Sequence, residues 1–208
     1  MAHSNNVHEY IEKQRMAVGS NPDCGMSRYN LATALLGLGK VDEAENEFKE
    51  AIRCSTSLAE AYVQLGGICL RRGDMDGCLE YNRQSVKVRA GFAEGYGNIG
   101  FIELQRGNVD EAISALEKAI RYNERFIQAY TTLANAYLFN GEVDKSIETN
   151  LKALELDPQF PVAHNNLAIC YLEKGDPEKA AYHCGQAVAL GYDVAPEIRE
   201  EIERYKKS

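Results

Sequence analysis

Residues 127–160 read IQAYTTLANAYLFNGEVDKSIETNLKALELDPQF. Positions 4, 7, 8 and 11 of this stretch (Tyr130, Leu133, Ala134 and Tyr137) fall on one face of a helix. Positions 20, 24 and 27 (Ser146, Asn150 and Ala153) make a second stripe on a second helix. Between the two lies Gly141, which can take the positive φ that ends a helix. Asp144, three residues on, suits the next helix N-terminus as a cap and as a partner of its dipole. The stretch therefore predicts an antiparallel helix pair.

The same pattern recurs without insertion. Gly39, Gly73, Gly107, Gly141 and Gly175 are spaced 34 residues apart, which divides the chain into repeats 25–58, 59–92, 93–126, 127–160 and 161–194. Small residues hold position 8 (Ala32, Gly66, Gly100, Ala134, Ala168), position 20 (Ala44, Cys78, Ala112, Ser146, Ala180) and position 27 (Ala51, Ser85, Ala119, Ala153, Ala187). At these points two helix backbones can approach closely. Position 18 is acidic throughout (Asp42, Asp76, Asp110, Asp144, Glu178), the site expected to cap each second helix. A fixed period of this size marks one supersecondary unit stacked on copies of itself.

The period, the small-residue spacing and the position-4 aromatics Tyr62, Tyr96 and Tyr130 resemble the tetratricopeptide repeat family. Repeat four matches best, through Tyr130, Leu133, Ala134, Tyr137, Gly141, Ala153 and Pro158, and the resemblance covers 170 of 208 residues. It implies an all-α, right-handed α-solenoid of five helix-turn-helix repeats. Residues 1–24 read as an N-terminal half-repeat helix, with its core over 6–18 and Tyr10 where a small residue belongs. Residues 195–208 read as a C-terminal capping helix striped by Ile198, Ile202 and Tyr205. Caps at both ends predict one complete domain.

The net charge is −8, and no basic cluster is longer than the terminal Lys206–Lys207. That disfavours nucleic acid and anionic membranes as partners. No apolar run approaches the ~20 residues of a membrane span, and residues 1–7 are polar, so a cytoplasmic protein is expected. The six cysteines form no CxxC motif and read as small buried residues in a reducing compartment. The sharper alternatives are a Cys69–Cys78 link or a soft-metal site from His164, Cys170, His183 and Cys184; His164 otherwise reads as a core histidine. No nucleophile–base pair or phosphate loop appears, so no catalytic residue, cofactor or metal is expected.

In this family the first helices line a concave groove, through positions 2, 5, 6, 9 and 13. The candidate partner-binding residues are Tyr29, Asn30 and Thr33, then Gln64 and Gly67, then Gly97, Asn98 and Phe101. Thr131, Thr132, Asn135 and Phe139 follow in repeat four, and Asn165 and Asn166 in repeat five. Position 6 forms a ladder (Asn30, Gln64, Asn98, Thr132, Asn166) whose amides suit the N–H and C=O of an extended peptide. Tyr29, Phe101 and Phe139 are expected to set specificity. The family's clamp for acidic C-terminal tails needs Lys and Arg on these helices, and at the groove positions only Arg71 is present, with Glu60 and Glu94 nearby. The expected ligand is therefore neutral or modestly basic. Gly95 and Gly97 have no packing role in the pattern; Gly67 and Gly97 would leave the groove floor bare for a close backbone approach.

Core positions occupied by Glu103, Asn82, Asn150 and Arg28 break the pattern, and Glu103 needs a partner or a raised pKa. Tyr182, Gly185 and Ala189 form a weakly charged outer patch, expected to seat the C-terminal helix. The pattern points to a non-enzymatic protein–protein interaction adaptor that binds a peptide or helical segment of a protein partner. The competing class is a self-associating scaffold that builds a homo-oligomer.

Overall fold

The computed structural model describes residues 2–205, with side chains from His8 onward. Among the described residues there are twelve α-helices and no strand. Helix α1 spans Ala2–Ser20, and the pairs α2 (Gly25–Gly37)/α3 (Val41–Cys54) and α4 (Ala59–Arg71)/α5 (Met75–Val88) follow. Next come α6 (Ala93–Gln105)/α7 (Val109–Tyr122), α8 (Ile127–Phe139)/α9 (Val143–Leu156), α10 (Pro161–Glu173)/α11 (Pro177–Ala189) and α12 (Pro196–Tyr205). Each pair begins 34 residues after the last. Lys206–Lys207 lies outside the described residues.

The turns follow from glycine. Gly39, Gly73, Gly107, Gly141 and Gly175 all have φ between 70° and 79°, a region closed to most L side chains. Capping differs from the sequence expectation. The acids at position 18 sit inside the first turn of each second helix, where they complement the dipole without capping. Side-chain caps come from position 16, two residues earlier, and only in repeats two and five. Asp74 accepts from the Gly77 N–H at 2.8 Å and Asp176 from the Lys179 N–H at 3.1 Å.

The chain divides into two compact units, one ending at Asn98 and the other beginning at Ile99. In the first, Phe48 is fully buried among Leu31, Leu35, Leu65 and Ile68, and α1 contributes Ile11. Tyr10 is exposed, so the misfit at that position never enters the core. In the second, Leu167 and Cys170 pack with Ile147, while Ala168, Leu172 and Val194 pack with Ile202 of α12. Ile202 is buried, whereas Tyr205 is 44% exposed. The outer patch is not the seat of α12. That helix packs on the side of Ile198 and Ile202, leaving Tyr182 62% exposed and Gly185 and Ala189 open.

Two glycines of α6 are steric necessities. A Cβ on Gly95 would collide with Ser85 Oγ and stand 2.8 Å from Val86 Cγ1, so Gly95 has the packing role that the sequence withheld from it. A Cβ on Gly100 would collide with Leu116 and lie 3.1 Å from the Ala112 carbonyl. Gly67 differs, with open space where its Cβ would be. Alanine is the better helix former by about 1 kcal/mol, but overpacking costs roughly 1–3 kcal/mol. Thermal melts should therefore show Gly67→Ala stabilised and Gly100→Ala destabilised.

Candidate functional site

The amide ladder is largely occupied by the protein itself. Asn98 Nδ2 donates to Asn82 Oδ1 at 2.9 Å, and Asn166 Nδ2 donates to Asn150 Oδ1 at 3.3 Å. Asn82 and Asn150 in turn donate to the carbonyls of Cys78 and Ser146, one helical turn back. The asparagines that break the core pattern at position 24 are thus the acceptors for position 6 of the following repeat. Threonines turn back on their own helices. Thr33 donates to the Tyr29 carbonyl, and Thr131 and Thr132 both donate to that of Gln128. Asn30 and Gln64 are half-buried.

Position 5 turns further inward than the sequence implies. Tyr29 packs on Phe48 with ring centroids 5.7 Å apart, which makes it part of the core wall more than a specificity residue. Gly97 is buried, so of the two glycines only Gly67 leaves open floor. Thr131 and Asn165 are 4% and 7% exposed. The other irregular residues find partners. Glu103 Oε2 accepts from Asn108 Nδ2 at 2.8 Å, and Arg28 pairs with Glu47 at 2.9 Å and donates to the Pro22 carbonyl.

Four of the candidates, Asn135, Phe139, Asn165 and Asn166, come together in the second unit, whereas Phe101 stands exposed outside their cleft. A cleft of about 600 Å³ runs over α8, lined by Asn135, Leu138 and Phe139. Leu104 and Gln105 of α6 border it, as do Asn165, Asn166 and Ile169 of α10 and Tyr192 from the turn before α12. Phe139 stands 77% exposed on its rim. No lining residue carries a charge. Asn165 Oδ1 is buried without a hydrogen-bond partner, alone in this among the described side chains. The repeat pattern does not single out Leu104, Leu138 or Tyr192. The two leucines sit at position 12, beside the groove-facing position 13, and Tyr192 follows the positive-φ Gly191.

A second cleft, of about 430 Å³, lies over Tyr130, Leu133 and Tyr137 and is walled by Glu117, Lys145, Glu148 and Lys152. Its charges already have partners, Lys145 pairing with Glu142 outside the cleft. Lys152 holds Glu148 at 2.7 Å, and Tyr137, bonded to Glu117 at 3.1 Å, has its phenol pushed up to about 12 by burial and by that carboxylate.

His164 is buried and bonded Nδ1 to Nδ1 with His183 at 2.9 Å, while its Nε2 donates to the Pro158 carbonyl at 3.2 Å. The two facing Nδ1 atoms share one proton, one ring donating and the other accepting. Cys170 Sγ faces Ser146 Oγ at 3.1 Å, and all six cysteines are free, so the Cys69–Cys78 link is not formed. Among the described residues no three His, Cys, Asp or Glu side chains are grouped to hold a metal. No described helix is long and apolar enough to cross a membrane.

A stack of helix pairs of constant period, with an uncharged cleft over one of its first helices, is a helical repeat protein. Family profiles described as tetratricopeptide repeat or TPR repeat match residues 15–59 and 29–91, then 100–141, 127–160 and 149–182. The chain belongs to the tetratricopeptide repeat family. It is 33% identical over 76 residues to the TPR repeat-containing thioredoxin TTL4 of Arabidopsis thaliana; the match spans 36% of this chain and 11% of that protein.

Among solved structures it is similar to YrrB, described as a TPR protein with an unusual peptide-binding site. The TM-score is 0.72 at 18% identity, covering 95% of this chain and all of that one. A chain of the APC/C hetero-tetramer Cut9-Hcn1 gives 0.80 at 20% identity, over 97% of this chain and 40% of that one. MamA from Desulfovibrio magneticus RS-1 gives 0.70 at 25% identity, over 81% and 95%.

Proposed function

We propose that the chain is a non-enzymatic adaptor that holds a peptide segment of a protein partner in the cleft over α8. The observation that carries this reading is Asn165 Oδ1, an acceptor withdrawn from water and left without a donor. Such a group costs the free protein about 1–3 kcal/mol, and buried polar atoms in native proteins are nearly always paired. A partner's N–H entering the cleft supplies the missing bond. The uncharged walls favour a neutral segment over an acidic tail. YrrB, with its peptide-binding site, is a precedent within the same fold.

The test separates stability from binding. Peptides selected from a random display library on the full chain are measured by calorimetry against wild type, Asn165→Leu and Asn135→Ala. Asn165→Leu should raise stability by about 1 kcal/mol, because the orphaned acceptor is gone, and weaken the selected peptides about tenfold. Unchanged affinity in both variants sinks the cleft as the binding site. Asn98→Ala is a poor probe, since it strips Asn82 of its donor.

A second reading, self-association, draws on the open face of α11, where Tyr182 is 62% and Val188 44% exposed beside Gly185 and Ala189. Light scattering across a concentration series discriminates. A mass that rises with concentration and is reset by Tyr182→Lys favours the scaffold, and a constant monomer mass favours the adaptor.

A further inference from the structure

We infer that the cleft over α8 is an anchor pocket for one uncharged, apolar side chain of an extended segment, whose own main-chain N–H is taken by Asn165 Oδ1. This rests on the adaptor reading and narrows it, because the sequence left a peptide and a helix equally open.

The backbone of the ligand follows from the orphaned acceptor. Past its first turn, a helix has every N–H committed to a carbonyl four residues back, and a helical partner laid in the cleft would leave Asn165 unmet. An extended segment carries free N–H groups at every second residue on one side and can give one up. Asn χ2 is soft, so a modest turn of the carboxamide brings Oδ1 to the incoming donor.

The side chain follows from the walls. Leu104, Leu138 and Ile169 give an aliphatic floor, and Phe139 and Tyr192 stand as aromatic sides. Phe139 leaves most of its ring in water, and covering it is a hydrophobic gain that only an apolar guest collects. A lysine or glutamate entering the same space would lose hydration and meet no counter-charge, since no lining residue is ionised. The cleft's volume is at the scale of pockets that enclose a side chain with its flanking peptide units.

The experiment uses blocked amino-acid amides as minimal probes. The isotope-labelled full chain is titrated with N-acetyl-phenylalaninamide and N-acetyl-leucinamide, then with the lysine and glutamate analogues, and finally with N-acetyl-N-methyl-phenylalaninamide. The phenylalanine and leucine probes should shift the resonances of Phe139, Ile169 and the Asn165 carboxamide. The charged probes should bind those residues at least about fivefold more weakly. N-methylation should cost a similar factor in wild type and nothing in Asn165→Leu, where the acceptor is already absent.

Equal binding of charged and apolar probes, or indifference of wild type to N-methylation, overturns the anchor assignment. If library peptides remain sensitive to Asn165→Leu while placing a charged residue in the cleft, the anchor fails and the adaptor reading stands. Library peptides insensitive to Asn165→Leu and Asn135→Ala would remove both.

Discussion

Asn150→Leu alone should destabilise the second unit by about 2 kcal/mol, and adding Asn166→Leu should restore most of that loss. Asn150 is fully buried and Asn166 nearly so. Asn150 ties the two helices together by accepting from Asn166 Nδ2 and donating to the Ser146 carbonyl at 3.1 Å. Leucine at 150 has nearly the same volume but leaves the Asn166 amide with a single long contact, 3.5 Å to the Thr131 carbonyl. Abandoning one partner of a buried polar pair costs about 1–3 kcal/mol, whereas replacing both by apolar groups of similar shape is close to neutral. The double-mutant cycle should therefore show coupling of about 1–2 kcal/mol. Repeat arrays unfold by neighbouring interfaces and not always as one block. The sharper readout is thus hydrogen exchange of amides in α9 and α10. Additive losses in the double variant would show that the two carboxamides do not act as a pair.

Acid is the second strong perturbation. His183 is held down to about 4, from an ordinary 6.5, first by burial and then by the neighbouring His164. Tyr171 stacks on its ring at 5.6 Å and Tyr182 meets it edge-on at 5.1 Å. Lys179 lies over the far ring of the stack, 5.1 Å from the Tyr171 centroid. The unfolded chain takes up a proton at His183 below pH 6.5, and the folded chain only near pH 4. Its contribution to stability is therefore complete above pH 6.5, falls as the pH drops and has gone by pH 4, about 3 kcal/mol in all. Paired carboxylates such as Asp176 and Glu142, held below their usual range by lysine partners, lose their own contributions at lower pH. The contrast between wild type and a His164→Tyr/His183→Phe variant isolates the histidines. The wild-type midpoint in urea should fall more steeply than the variant's from pH 7 to pH 4.5. Parallel pH profiles would mean that the pair is not what titrates.

Where a residue's role is set by its place in the period, the sequence was sufficient. The positive-φ glycines, the fully buried Ala32, Ala112 and Ala168, and the start of every helix pair all follow from spacing alone. Roles set by a neighbour one repeat away were harder to read. From sequence alone Asn82 is a polar residue at a core position and Asn98 a groove amide offered to a ligand; in the fold each is the other's partner. The constraint on Gly95 comes from Ser85 and Val86 of the preceding repeat, which spacing does not reveal. The cleft was half legible. Asn135, Phe139, Asn165 and Asn166 lie at groove-facing positions, whereas Tyr192 enters from a turn outside the repeat pattern.

The order of residues at position 24 has a consequence for how such an array can change length. Phe48, Asn82, Leu116, Asn150 and Cys184 occupy it in turn, and only the two asparagines are answered by asparagine in the next repeat. Excising the third repeat would bring Thr132 to the place of Asn98 and strand the Asn82 carboxamide. Excising the third and fourth together would bring Asn166 there instead, and the bridge could close again. Repeats joined by an asparagine bridge are thus not interchangeable parts, and a segment that carries such a bridge whole is two periods long.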